Sequence, residues 1–409
     1  MRLPGGFAWG AVRAGIKASG NLDLAVALAT GRDAVGACAV GAAMFTSNRV
    51  AAAPVTVGRR HLLATGGRVG AVLVNAGNAN CATGAAGVAG CVATCVAAAE
   101  TFGCIFDEVV PSSTGIIGVP FPAEKVVGAM AELQAAVGDT AEHAEGFARA
   151  IMTTDTRVKV ASAAIRVGGG EVLIWGAAKG AGMIHPRLGP PVGPAHATML
   201  VYLFTDVAAG TQELRAALAA AVEPSFNSIS IDGDTSTNDT VLLLASGASG
   251  IELDAHLAPA FDRALAEVCR SLAHQIIEDG EGVGHVVALD IRGAATAEEA
   301  GLVAKTIAHS PLCKTAWSSG DPNWGRLLAA AGYSGAHFDP NQVRIWIGEQ
   351  PVFEWGVRAA AFDEAAAHRT MMQRDYTITI DLGQGHGQCT FLTCDLTQEY
   401  VRINADYST

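Results

Sequence analysis

The chain has 409 residues, of which 50% are hydrophobic and 16% charged, with a formal net charge of −12. That length suits two domains or two lobes of one, with a sizeable buried core. The acidic balance and the lack of any basic block argue against nucleic acid or an anionic membrane surface as partner.

The opening stretch MRLPGGFAWGAVRAGIK has no long apolar core, so no secretory signal is expected. Residues 71–75 read as a buried strand and lead into the turn-rich run Ala76-Gly77-Asn78-Ala79-Asn80-Cys81. Residues 82–100 are apolar all round but lack Leu, Ile and Phe. They predict a helix that is almost wholly buried, rather than a membrane span. Residues 109–118 form a short apolar run broken by the small-residue turn Ser112-Ser113-Thr114-Gly115. Residues 122–136 and 145–152 read as amphipathic helices, the second ending at Thr153-Thr154-Asp155-Thr156. Residues 172–175 form a strand that feeds Lys179.

Lys179 stands alone in a Gly/Ala run. The Pro/Gly segment 185–194 beyond it excludes regular helix or strand and runs up to Thr198, where residues 199–206 begin a buried strand. A loop of breaker residues therefore delivers one threonine to the mouth of an apolar strand. A threonine hydroxyl is a poor nucleophile without a base beside it. If the chain is cut just before Thr198, the new α-amino group, of pKa about 7.7–8.0, is that base. On local sequence alone, a strand-start threonine after a surface loop is the better-fitting reading.

Past Thr198, helix is expected over residues 214–222 and an alternating strand over 228–232. A polar loop at 234–240 follows, then a strand at 241–245 and a long helix at 257–277. Thr296 and Glu299 have the spacing of a capping box opening a helix to residue 308, and Asp321-Pro322 opens one over 324–331. Strands are expected at 343–347, 377–381 and 389–392. The nine cysteines show no CxxC or Cys/His spacing, so reduced thiols and no metal site are expected. No fixed-period repeat, low-complexity linker or Walker-type loop occurs.

Several of these stretches, in this order, carry a resemblance. They are Gly15-Ile16-Lys17, Asn75-Ala76-Gly77-Asn78-Ala79-Asn80, Ser113-Thr114-Gly115-Ile116-Ile117-Gly118 and Met152-Thr153-Thr154-Asp155. Next come Lys179-Gly180-Ala181-Gly182-Met183-Ile184, Ala197-Thr198-Met199-Leu200 and Ser236-Thr237-Asn238-Asp239-Thr240. The last are Glu281-Gly282, Gly320-Asp321-Pro322-Asn323-Trp324-Gly325-Arg326 and the terminus Asn404-Ala405-Asp406-Tyr407-Ser408-Thr409. Nearly end to end, the chain resembles the ornithine acetyltransferase family, the bifunctional glutamate N-acetyltransferases of arginine biosynthesis. It departs from the family pattern in a longer segment from Arg187 to His196 and in Gly284-His285.

The resemblance implies self-cleavage between Ala197 and Thr198, giving an N-terminal chain 1–197 and a C-terminal chain 198–409 in a heterotetramer, two of each. Thr198 would be the nucleophile, and the Thr114 hydroxyl with the Gly115 N–H would form the oxyanion hole, which a Ser-Thr-Gly turn suits by letting backbone approach closely. Lys179, Glu281, Asn404, Thr409 and one of Thr153 and Thr154 would bind substrate. The implied reaction moves acetyl from N2-acetylornithine to glutamate through an acetyl-Thr198 ester. No cofactor or metal takes part, and some family members also accept acetyl-CoA. The expected fold is α/β (α+β), its sheets layered with Ala-rich helices in two lobes, and the expected location is cytoplasmic. Two alternatives share the scaffold: an N-terminal-threonine amidohydrolase or aminopeptidase that passes the acyl group to water, and an uncleaved inactive homologue.

Overall fold

A computed structural model describes residues 2–31, 38–189 and 199–406 of the chain. It divides into two compact units: residues 1–227 with 234–276, and residues 228–233 with 277–408. This division differs from the expected pair of cleaved chains, because the strands that follow residue 198 are woven into the first unit rather than opening the second.

Among the described residues, the first unit contains eleven strands in chain order. They are β1 (Phe7–Val12), β2 (Leu24–Ala29), β3 (Ala39–Thr46), β4 (Arg68–Val69), β5 (Ala71–Asn78) and β6 (Val109–Ile116), then β7 (Lys159–Val167), β8 (Gly170–Lys179), β9 (Leu188–Gly189), β10 (Leu200–Thr205) and β11 (Thr240–Ala245). One sheet runs β1-β2-β5-β6, antiparallel except for the parallel pair β5/β6. The other runs β4-β3-β11-β10-β8-β7, with β9 paired to β3 and β10/β11 parallel. Neither is the all-parallel sheet of a dinucleotide-binding fold.

The two sheets share a core in which Phe7, Trp9, Val72 and Val110 of one meet Trp175, Tyr202, Phe204 and Leu242 of the other. Trp9 and Trp175 pack edge to face with ring centroids 5.3 Å apart, and Phe204 lies against both. Every residue of β10 and β11 is buried, as their unbroken apolar runs require of strands covered on both faces.

The helices of this unit are α1 (Ala53–Ala64), α2 (Gly84–Phe102), α3 (Ala123–Gly128), α4 (Met130–Ala135), α5 (Ala141–Ala150), α6 (Thr211–Val222) and α7 (Ala258–Glu278). The helix expected to be almost wholly buried, α2, is not. It buries Gly87, Cys91, Thr94, Cys95, Ala98 and Ala99, a stripe three and four residues apart that packs on Leu73 and Val109, and it leaves Val88 and Val96 exposed. Small side chains let this stripe approach the sheet closely, but they do not widen it. The helix expected over 122–136 is two short ones, α3 and α4, broken at Ala129.

The second unit contains β12 (Val286–Ala294), β13 (Arg344–Ile347), β14 (Gln350–Glu354), β15 (Val357–Arg358), β16 (Asp375–Asp381) and β17 (Gly387–Cys394), in the order β15-β14-β13-β16-β12-β17. Helix α8 (Ala297–Ala308) covers it through Ala300, Val303, Ala304 and Ile307. Thr296 caps this helix by accepting from Glu299 N at 3.2 Å. The box is half made, because the Glu299 carboxylate accepts from His337 N instead. The alternating run at 228–232 is not a strand. It makes one isolated bridge, Ile229 to Leu392, and its alternation reflects burial of Ile229 and Ile231 in a turn. None of the nine cysteines is bridged.

Candidate active site

Strand β8 ends at Lys179, whose side chain turns into the first unit and is 4% exposed. A buried ammonium is costly unless it is paired and hydrogen-bonded. Here Nζ donates to Thr153 Oγ1 at 2.7 Å and to Thr114 Oγ1 at 3.2 Å, and lies 3.9 Å from Asp155 Oδ2. Asp155 is the hub of the cluster. Its Oδ1 accepts from Lys159 Nζ and Gly180 N, each at 2.6 Å, and its Oδ2 from Thr153 N at 3.0 Å. Burial pushes the Asp155 carboxyl up, but the Lys179 and Lys159 ammonium groups and the Gly180 N–H together outweigh it. They hold the group below the usual carboxylate range. Asp155 is therefore ionised at neutral pH and pairs with both lysines.

The same cluster reaches the Gly15-Ile16-Lys17 motif. Asp23 folds that loop by accepting from Ala14 N, Ile16 N and Lys17 N, and Lys17 Nζ donates to Leu22 O at 2.6 Å and Ala150 O at 3.1 Å. Burial, opposed by Asp23 and reinforced by the charge of Lys179, lowers the Lys17 pKa to about 8. Lys17 lines a cavity of about 540 Å³ with Arg13, Arg149, Arg157, Thr153 and Asp155. Asp155 is already neutralised by its lysines, so this cavity presents cations to a ligand even though the chain as a whole is acidic.

Strand β6 carries Thr114 and Gly115 to its end, opposite Ala76 and Gly77 of β5, where the register shifts. Gly115 has φ +131°, a conformation that side chains rarely adopt. Beneath it, Ser113 Oγ donates to Asn75 Oδ1 at 2.6 Å, and Asn75 Nδ2 donates to Asn78 O at 2.8 Å. Lys179 gives a hydrogen to the Thr114 oxygen, so the Thr114 hydroxyl is left to donate its own elsewhere. A Thr hydroxyl oriented by a cation, beside a backbone N–H at a positive-φ glycine, has the composition of an oxyanion hole.

Of the expected site residues, Thr114, Gly115, Thr153 and Lys179 come together in the first unit. Of the neighbouring threonines, Thr153 meets Lys179, whereas Thr154 is half-buried and makes no hydrogen bond among the described residues. In the second unit, Asn404 Nδ2 donates to Glu281 Oε2 at 2.9 Å, so those two are also brought together. Gly284 and His285 give their N–H groups to Asp395 Oδ1 at 2.9 and 3.0 Å. Ala197, Thr198 and Thr409 lie outside the described residues, as does most of the segment from Arg187 to His196. Met199, one peptide bond from Thr198, is fully buried, and its carbonyl accepts from Thr240 N at 2.9 Å.

Sequence reasoning missed the hub Asp155 and three further participants. Lys159 lies four residues after Asp155, a spacing that is ordinary in any polar stretch. Asn238 is 1% exposed, and its Nδ2 donates to Ala79 O at 2.6 Å and Ser113 O at 2.8 Å. Asp239 is fully buried, and neither carboxylate oxygen has a hydrogen-bond partner among the described residues. Burial drives its pKa well above the usual carboxylate range, only partly offset by Lys179. The signal for both was the polar run Ser236-Thr237-Asn238-Asp239-Thr240, set directly before an apolar strand.

Residues 8–409 match the model of the ArgJ family. The arginine biosynthesis bifunctional protein ArgJ of Thermus thermophilus is 45% identical over 410 residues, covering 100% of both chains. The protein of the same description from Methylococcus capsulatus is 43% identical, covering 99% of this chain and 95% of that one. Among solved structures, the ornithine acetyltransferase of Mycobacterium tuberculosis complexed with ornithine is 37% identical. It covers 46% of this chain and 94% of that one at a TM-score of 0.40.

Proposed function

The chain belongs to the ArgJ family and is an enzyme of arginine biosynthesis, and from that premise we propose that it moves acetyl from N2-acetylornithine to glutamate through an ester on Thr198. The observation that carries the proposal is the Lys179–Thr114–Thr153–Asp155 cluster beside Gly115. It supplies an oriented hydroxyl and a fixed positive charge at one place, with the Gly115 N–H next in the chain.

In this reading the Thr198 hydroxyl oxygen bonds to the acetyl carbonyl carbon, and its proton goes to the α-amine of the same residue. Thr114 and Gly115 donate to the oxyanion. The carbon–nitrogen bond to ornithine then breaks, and the α-ammonium returns its proton to the leaving nitrogen. Glutamate attacks the ester by the reverse sequence and leaves as N-acetylglutamate. Thr153, Lys179, Glu281, Asn404 and Thr409 are assigned to substrate. The cationic cavity beside Thr153 suits the free carboxylates that both amino acids carry.

No cofactor is assigned. Acetyl-CoA is assigned at most as a second acetyl donor. The two cleaved chains are placed together as a cytoplasmic heterotetramer, in keeping with the resemblance and with nine unbridged thiols. The deciding experiment incubates pure protein with N-acetylornithine and glutamate and quantifies both products, with acetyl-CoA in a parallel arm. Equal release of ornithine and N-acetylglutamate supports transfer. Ornithine with free acetate would favour the amidohydrolase, and no product would leave the inactive homologue.

Lys179→Met tests the cluster. Asp155 keeps its other three hydrogen bonds, so the variant should fold, while Thr114 loses the donor that orients it. We expect kcat to fall roughly 10- to 100-fold, somewhat less than the loss of a direct oxyanion donor. A folded variant with unchanged kcat and KM would remove Lys179 from the site.

A further inference from the structure

Asn238 lies two residues before Thr240, which opens β11 and pairs with Leu200, the first residue of β10. Strand β10 continues directly from Thr198 through Met199. Asn238 is therefore tied by main chain to the strand pair that carries the expected nucleophile.

Its side chain reaches the other sheet. The partners of Nδ2, Ala79 O and Ser113 O, can only accept, which fixes which end of the amide faces them. Oδ1 accepts from Thr237 Oγ1 at 2.6 Å, so the amide is fully engaged. The Ser113 carbonyl belongs to the peptide plane that contains the Thr114 nitrogen. Turning that plane would carry both the Thr114 hydroxyl and the Gly115 N–H with it. Ala79, the second partner, donates its own N–H to Ile116 O at 3.0 Å. A single amide thus braces the Thr114–Gly115 end of β6 from both sides, directly at Ser113 and through Ala79 at Ile116.

We propose that Asn238 is a positioning residue for acyl transfer: its side-chain amide holds the Thr114–Gly115 end of β6 in place against the strand pair that leads from Thr198. The proposal rests on the reading of Thr114, Gly115 and Thr198 given above. Misplacing oxyanion donors by a fraction of an ångström weakens the transition state while leaving ground-state binding nearly intact. Asn238 should therefore appear in kcat and not in KM. Self-cleavage would pass through the same oxyanion, so its rate should fall in step.

The test compares wild type, Asn238→Ala and Asn238→Ser as full-length chains. Each is assayed for acetyl transfer, for scission by intact mass, for ornithine binding by calorimetry and for cooperative melting. Asn238→Ala should melt cooperatively and bind ornithine within about threefold of wild type, lose about 10- to 100-fold in kcat and cut more slowly. Asn238→Ser keeps one donor and should fall between the two. If Asn238→Ala does not fold, the serine variant decides. A folded variant with wild-type kcat, or a loss confined to KM, overturns the proposal and leaves the acetyltransferase reading standing. A wild type that neither cuts nor transfers acetyl overturns both.

Discussion

Thr198→Ala is expected to accumulate as one uncut chain of 409 residues without measurable acetyl transfer. Two losses combine in that variant. The hydroxyl that would attack the Ala197 carbonyl is gone, so scission stops. The chain then keeps an amide nitrogen at residue 198, and an amide has no usable basicity. An α-amine has a pKa of about 7.7–8.0 and is partly neutral at physiological pH. Losing nucleophile and base together should cost on the order of 10⁶ in turnover, as when a hydrolase loses its nucleophile. Thr198→Ser keeps the hydroxyl and should still cut. Intact mass separates the cases, since wild type should give fragments 1–197 and 198–409. Turnover should also rise with pH as the α-amine loses its proton. A fully active wild type found only as the uncut chain would refute the amine as base, whatever the family.

Gly115→Ala should be nearly as damaging, for a reason that is steric and local. Gly115 has φ +131°, and a Cβ built on it would overlap the Gly77 carbonyl carbon and come 2.6 Å from Asn78 N. These are backbone atoms of the paired strand β5, so no side chain can swing away. The end of β6 itself must move, and the Gly115 N–H moves with it. We expect kcat to fall about 10²- to 10³-fold, the range for loss of one oxyanion donor. Stability should drop by about 1–3 kcal/mol from the forced backbone conformation. Steady-state kinetics on material shown to be folded by its melting curve checks both. A variant that cuts completely and turns over at the wild-type rate would show that this N–H faces no reacting atom.

Much of this site was legible because its parts are local. The Ser-Thr-Gly run, the lone lysine after a buried strand and the polar run before β11 each stand out within a few residues. Three strands of the central sheet, β8, β10 and β11, were equally plain, because an apolar run such as 200–205 has few other uses, whereas β3 and β7 beside them were not foreseen. What stayed hidden depends on pairing across the chain. Asp155 reads as one more acid at a helix end until β8 brings Lys179 and Gly180 beside it, 24 and 25 residues on. The outer face of α2 could not be foreseen either, since Ala and Gly sit as readily against solvent as against a sheet. The alternation at 228–232 misled because two buried isoleucines in a turn mimic one face of a strand. The nucleophile was read from sequence and chemistry alone.

The strand order β4-β3-β11-β10-β8-β7 bears on how this molecule would recover from damage. The middle pair comes from after residue 198, and the strands on both sides of it come from before. Neither part holds enough neighbouring strands to complete the sheet alone, so folding must be finished before the chain is cut. An uncut chain refolds as one molecule, at a rate independent of its concentration. A cut one must bring two chains back together, and meanwhile each exposes unpaired apolar strand edges that invite aggregation. Maturation would then turn a reversible folding equilibrium into persistence set by the rate of unfolding. The working enzyme would last as long as it stays folded, and heat or denaturant would inactivate it for good at the dilution of an ordinary assay.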